Sequence, residues 1–292
     1  MLPDIWFPHL GIRLYDLSRT IFNVFGIGIY WYAVFIMLGV LAGLITAQLE
    51  AKRSGQSKEI YMDLLMVALP AALVGLRLFF VATNWDIYSQ NPIRIITGIR
   101  EGGLAIFGGI IACIITIYLF TKIRKLNIWL VLDTCAPSFA LGQAIGRWGN
   151  FVNREAFGTF TDNFLAMRIN RAQTGAPLTQ EILDNLVTFP PVDGYPAVEY
   201  IQVHPTFLYE SLWSLLVFAL LTIYRPRKKF NSEIFWLYLA AYGFARFFIE
   251  GLRTDQLTVG LLPISQALAA VSFIIGIAAI VLTRLKIIKF AT

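Results

Sequence analysis

Seven long apolar stretches, at about 22–48, 62–83, 103–121, 128–147, 205–224, 234–250 and 261–283, constrain this chain more than any other feature of its sequence. A helix that crosses the hydrocarbon of a bilayer needs roughly 20 apolar residues, and each stretch approaches that length. With 57% apolar and only 14% charged residues over 292 positions, the chain cannot close as a soluble globule. The expected fold is an all-α membrane protein, a seven-transmembrane-helix bundle. Arg77 in the second stretch and Arg246 in the sixth stand inside otherwise apolar runs and weaken those two as spans.

The lysines orient the bundle. Short loops rich in Lys and Arg stay on the cytoplasmic side. The clusters Lys52, Arg53, Lys58; Lys122, Arg124, Lys125; Arg225, Arg227, Lys228, Lys229; and Arg284, Lys286, Lys289 follow the first, third, fifth and seventh stretches. That alternation predicts an N-terminus outside and a C-terminus in the cytoplasm. The net charge of +6 then reads as a topology signal and a contact with anionic lipid, not as a nucleic-acid surface. Met1 to Thr20 contains Asp4 and Asp16 and lacks a basic start, so a cleaved leader is not expected. Cys113 and Cys135 fall within apolar stretches and read as small core residues.

Between the fourth and fifth stretches, residues 151–204 are polar and punctuated by Pro190-Pro191 and Asp193-Gly194-Tyr195-Pro196. They read as turns and short elements packed on the outer end of the bundle, either a small extracytoplasmic cap over a site or a plain connection. The outer stretch Trp85 to Glu101 carries the same two readings.

Arginines inside a membrane are costly, about 3 kcal/mol at a helix centre, and one that is kept needs an anionic partner. A rise of about 1.5 Å per residue from the inner ends lifts Arg147 about 28 Å, Arg77 about 24 Å and Arg246 about 18 Å, so all three sit in the outer half. Arg77 either snorkels, pairs with a carboxylate or joins a cluster. Tyr242, Arg246 and Glu250 recur at i, i+4 and i+8 on one helix face, where Glu250 can turn the Arg246 guanidinium toward the bundle. Two arginines aimed into one outer cavity suggest a phosphate, which the planar guanidinium fork grips in a way lysine cannot copy.

The segments Tyr30-Trp31-Tyr32, Glu101-Gly102-Gly103-Leu104-Ala105-Ile106-Phe107-Gly108-Gly109, Gly146-Arg147-Trp148-Gly149-Asn150-Phe151-Val152-Asn153-Arg154-Glu155 with Gly158, His204-Pro205-Thr206-Phe207-Leu208-Tyr209-Glu210, and Tyr242-Gly243 with Arg246 and Glu250 resemble, in this order, bacterial prolipoprotein diacylglyceryl transferases. The resemblance implies a seven-helix inner-membrane enzyme. Such an enzyme moves the diacylglyceryl group of phosphatidylglycerol onto the lipobox cysteine of a prolipoprotein signal peptide and leaves glycerol phosphate. It implies no cofactor and no metal. Arg147 matches the family's phosphate-binding arginine and Arg246 its second essential arginine, with Tyr242 and Glu250 in the catalytic set. Asn150, Gly158 and Tyr32 match further positions on which the family depends. Gly103 and Glu210 are expected on the substrate side, Gly103 by leaving room for a head group and Glu210 as partner to an arginine. The family often has His where this chain has Phe107, and that His has been proposed as the base for the thiol proton.

The residues support such chemistry in their own right. A thiol near pKa 8.5 is mostly protonated at neutral pH, and neighbouring arginines favour the thiolate. The same arginines neutralise charge that builds on a departing phosphate. His9 and His204 are the only histidines, neither lies within an apolar stretch, and no His, Asp and Glu cluster has ligand spacing. A retinal protein would need a lysine in the last helix, and 261–283 contains none. The rival reading is a protein that binds or translocates anionic lipid with the same arginines. It would need access from both faces, whereas the charges sit in the outer half.

Overall fold

A computed structural model describes residues 2–24, 27–98, 102–190, 197–256, 258–259 and 262–288. Glu101, the turn at Asp193-Gly194-Tyr195-Pro196 and Lys289 lie outside the described residues. The chain is mostly helical. Its helices are α1 Trp31–Arg53, α2 Glu59–Thr83, the short α3 Trp85–Tyr88 and α4 Arg94–Thr97, α5 Ile106–Ile123, α6 Ile128–Asn153, the short α7 Gln180–Asp184, α8 Thr206–Tyr224, α9 Glu233–Leu252 and α10 Ile264–Arg284.

Among the described residues six helices are long and apolar enough to cross a membrane: α1, α2, α5, α6, α8 and α10. This is one fewer than the seven expected. The expected stretch 234–250 does form a helix, α9, but Arg246 and Glu250 lower its hydropathy and it is not in that set. The long helices turn apolar side chains outward: Met37 is 71% exposed in α1, and Ile114 is 63% exposed in α5. That inverted polarity suits a lipid solvent.

The described residues divide into two compact units, one within 2–43 and 136–288, the other within 44–135. In the second unit α2 and α5 run in backbone contact. A Cβ on Gly108 would stand 2.1 Å from the Gly75 carbonyl oxygen and 2.4 Å from the Phe79 Cβ, so only glycine permits the approach. Near the α2 N-terminus Tyr61 donates to the Gln56 side-chain oxygen at 2.6 Å, and Gln56 donates to the Thr134 hydroxyl at 2.8 Å. Arg77 is buried. It donates to four backbone carbonyls, those of Ile95 (2.9 Å), Arg94 (2.8 Å), Gly102 (3.0 Å) and Gly103 (3.1 Å), and lies over the Tyr88 ring. Among the described residues its hydrogen-bond partners are carbonyls, so it neither snorkels nor joins an arginine cluster; it pins the connection between α2 and α5.

The first unit holds a sheet that the all-α expectation did not contain. Its strands are β1 Ile5–Phe7, β2 Ile12–Leu14, β5 Met167–Asn170, β6 Val187–Phe189 and β7 Val198–Val203, in the antiparallel order β2-β1-β5-β7-β6. Two small hairpins complete the set, β3 Thr20–Val24 with β4 Ile27–Tyr30, and β8 Thr258–Val259 with β9 Leu262–Pro263. The first helix consequently starts at Trp31, where the apolar stretch from 22 had suggested an earlier start. Residues 20–30 are apolar, but β-branched and aromatic side chains around Gly26 and Gly28 favour a hairpin over a helix.

The sheet has a core of its own. Ile5, Ile169, Ile201 and Val203 are fully buried, in register as Ile5↔Ile169↔Ile201, and pack against Phe151 and Val152 of α6 and Phe207 of α8. It therefore fixes the end of α6 against the start of α8, where the sequence motifs fall.

Candidate active site

Arg147 lies nearly two turns before the end of α6 and Arg246 in the C-terminal half of α9. Between them stands Glu210, near the start of α8. One carboxylate oxygen meets Arg147 at 2.8 Å and the other meets Arg246 at 2.9 Å. Three helices thus meet through one carboxylate. Glu210 is aimed by its neighbour Ser211, whose hydroxyl donates to the Ala144 carbonyl at 2.9 Å and accepts from the Trp148 indole at 3.2 Å.

Each arginine also has a partner on its own helix. Arg246 meets Glu250 at 2.5 Å, the i, i+4 pair that the spacing offers, and Glu250 is buried. Arg147 donates to the Asn150 side-chain oxygen at 3.3 Å. Asn150 donates in turn to Glu155 at 3.0 Å, and Asn153 donates to the same Glu155 oxygen at 3.2 Å. The turn that brings Glu155 back places Arg154 and Ala156 in left-handed conformations, φ 54 and 55. Buried Arg154 secures it by donating to the Leu17 carbonyl and pairing with Asp4 at 3.4 Å.

The charge array continues beyond Glu250. Arg253 comes within 4.0 Å of Glu250 and grips Asp255 with two donors at 2.9 and 2.7 Å. Burial disfavours the Arg253 charge, but the Asp255 hydrogen bond and charge, with Glu210 and Glu250 further off, outweigh it and hold its pKa above the ordinary value. Burial likewise disfavours the Asp255 carboxylate, and Arg253 more than compensates, holding it below the usual range. Arg253 and Asp255 are not among the residues that the sequence singles out, and Glu155 is legible there only as a neighbour of Arg147 within the motif. Glu155 stood inside the quoted motif and Arg253 at i+3 from Glu250, so spacing alone offered both.

A cleft enclosing about 260 Å³, its open side included, borders this array and is lined by Gln143, Glu210, Trp213, Tyr242 and Arg246 among others. Tyr242 stacks on Tyr238 with ring centroids 6.1 Å apart. Tyr32 lies against the Gly149 backbone and in the fields of Glu155 and Arg147. Gly158 stands where three segments cross. Its N–H donates to the His204 carbonyl at 3.0 Å, and an added Cβ would lie 2.8 Å from the His204 Cβ and 3.1 Å from the Leu252 carbonyl. Gly103 belongs to the second unit, where φ +79 and a Cβ position 2.6 Å from Arg77 Nη1 require glycine. The first unit thus brings together Arg147, Asn150, Glu210, Tyr242, Arg246 and Glu250.

The family model for prolipoprotein diacylglyceryl transferase matches residues 19–282, which include every residue of this array. The chain belongs to the prolipoprotein diacylglyceryl transferase family. Relatives named phosphatidylglycerol–prolipoprotein diacylglyceryl transferase agree over nearly full length. That of Finegoldia magna is 43% identical over 274 residues, 94% of this chain and 98% of the relative. That of Bacillus mycoides is 43% identical over 270 residues, 92% and 93% of the two chains, and one from Bacillus cereus is 40% identical over 269 residues with the same coverage. In this member of the prolipoprotein diacylglyceryl transferase family, Arg246 and Glu210 line the cleft, and Arg147 is tied to it through the shared Glu210 carboxylate.

Proposed function

We propose that this chain transfers the diacylglyceryl group of phosphatidylglycerol to the lipobox cysteine of a prolipoprotein signal peptide. The observation that carries the reading is the pair Arg147 and Arg246, bridged beside an open cleft in a chain of this family. The cysteine sulfur attacks the glyceryl carbon, a C–S bond forms and the C–O bond to phosphate breaks. The thiol proton is released, and glycerol phosphate leaves with one more negative charge than the phosphodiester carried. Two guanidiniums facing that phosphate stabilise the added charge as it develops, and their field favours the thiolate.

In this reading Arg147 and Arg246 hold the phosphate, while Glu250 and Asn150 orient them. Tyr242 and Tyr32 border the reacting groups, and Glu210 joins the two arginines. Gly158 and Gly103 serve through the backbone packing that only glycine allows. We place α9 across the bilayer as a seventh span, its charges satisfied within the protein, with the sheet as an extracytoplasmic cap. The basic clusters lie on the cytoplasmic side of a bacterial plasma membrane.

The test is an assay of membranes containing the protein with phosphatidylglycerol and a lipobox peptide, scored for thioether-linked diacylglycerol. Arg147→Ala should abolish transfer. Arg147→Lys should lower it by at least about tenfold, because a point charge cannot reproduce the two-pronged grip. Near-normal turnover of a well-expressed Arg147→Lys would remove Arg147 from the phosphate site.

A further inference from the structure

We propose that Glu210 is a resident anion that holds the two arginines in the empty site, yields to the lipid phosphate, and returns to expel the product. The inference rests on the reading of Arg147 and Arg246 as the phosphate site. Each arginine has one partner on its own helix, Asn150 at i+3 and Glu250 at i+4, and one shared partner from another helix, Glu210. The own-helix partners set orientation and need not move. Both carboxylates are buried, Glu250 at 3% and Glu210 at 9% side-chain exposure, but of the two only Glu210 lines the cleft.

Glu210 presents one oxygen to each guanidinium, 2.8 and 2.9 Å away. A phosphodiester offers the same pattern, two non-bridging oxygens sharing one negative charge. With Glu210 and Glu250 in place, Arg147 and Arg246 are already neutralised. A phosphate added beside Glu210 would meet a like charge, while a phosphate in place of Glu210 keeps the balance. Without Glu210, Arg246 would keep Glu250 while Arg147 would keep only the neutral Asn150 amide, leaving a largely buried cation without a direct carboxylate partner.

The exchange also addresses release. Glycerol phosphate carries more negative charge than the phosphodiester and would bind paired arginines more tightly than the substrate does. A tethered carboxylate competes with it at high local concentration, so product leaves. A merely structural Glu210 predicts weaker anion binding when it is removed. A resident competitor predicts stronger binding.

The experiment compares the purified full chain with Glu210→Gln and Glu210→Asp. Glycerol phosphate is the inhibitor in the transfer assay, and inorganic phosphate is the probe in thermal unfolding. The expected result for Glu210→Gln is an inhibition constant lowered about tenfold or more, with kcat and KM for phosphatidylglycerol both reduced. Its thermal stability should be lower than that of the wild type without anion and be restored by phosphate. Glu210→Asp, which keeps the charge but is too short to bridge both arginines, should show an intermediate gain, and it decides the matter if Glu210→Gln does not fold. An unchanged or raised inhibition constant, with no added stabilisation by phosphate, overturns the exchange while wild-type transfer leaves the functional reading intact. Absence of transfer by the wild type would instead strike the functional reading itself.

Discussion

Phe107 stands where the family resemblance often places a histidine, and it faces another phenyl ring. It is the second residue of α5, and its ring centroid lies 6.3 Å from that of Phe79 on α2. A phenyl ring has no proton acceptor, so the thiol proton must go to solvent, to the departing phosphate or to a nearby tyrosine, with the arginine field lowering the barrier. Phe107→His is expected to change the rate only modestly while shifting its pH profile. Phe107→Ala should lose activity through lost packing. Turnover measured at several pH values for the wild type and Phe107→His decides this; a silent wild type that His awakens would make position 107 the obligatory base.

At the scale of elements, the α2–α5 contact is the tightest constraint in the second unit. Because a Cβ on Gly108 would sit 2.1 Å from the Gly75 carbonyl oxygen, Gly108→Ala must push the helices apart or bend one of them. Overpacking of this kind costs about 1–3 kcal/mol. The detergent-solubilised variant should therefore melt several degrees lower, and an unchanged melting temperature would mean that the contact is looser than its geometry. Arg77 gives the same unit a second lock. Four carbonyls converge on one guanidinium, so the charge is met by backbone dipoles of the segment it fastens.

At the scale of the molecule, the sheet joins residues near the N-terminus to residues after α6, and His204 lies where it meets α8. Its Nδ1 is 3.1 Å from the Tyr209 hydroxyl and 3.3 Å from the Asn163 amide nitrogen. Burial disfavours the imidazolium, and Glu181 offsets only part of that, so the native pKa lies below the ordinary 6.5. In the unfolded chain the ring takes up its proton near that ordinary value. Stability from His204 is therefore complete above about 6.5 and is lost as pH falls from there toward the lowered native value. Thermal unfolding should show a decline over that window, and His204→Gln should flatten it; an undiminished slope in the variant would assign the decline to other groups.

What the sequence determined was decided by local rules. Apolar length marks α1, α2, α5, α6, α8 and α10, since no other solvent accepts those stretches, and helical spacing alone pairs Arg246 with Glu250. The motif residues Arg147, Asn150 and Glu155 were visible because one short segment of chain carries them. The rest needed tertiary structure. Strands as short as Ile5–Phe7 show no period, and the partner of Ile5, Ile169, lies far along the chain, so the sheet could not be read from any window. Residues 20–30 score as apolar whether helical or extended, and only pairing distinguishes the two. Glu210 was legible as a partner for an arginine. That it serves two, one oxygen to each, depends on three helix ends being brought together by packing, which no spacing along one helix encodes.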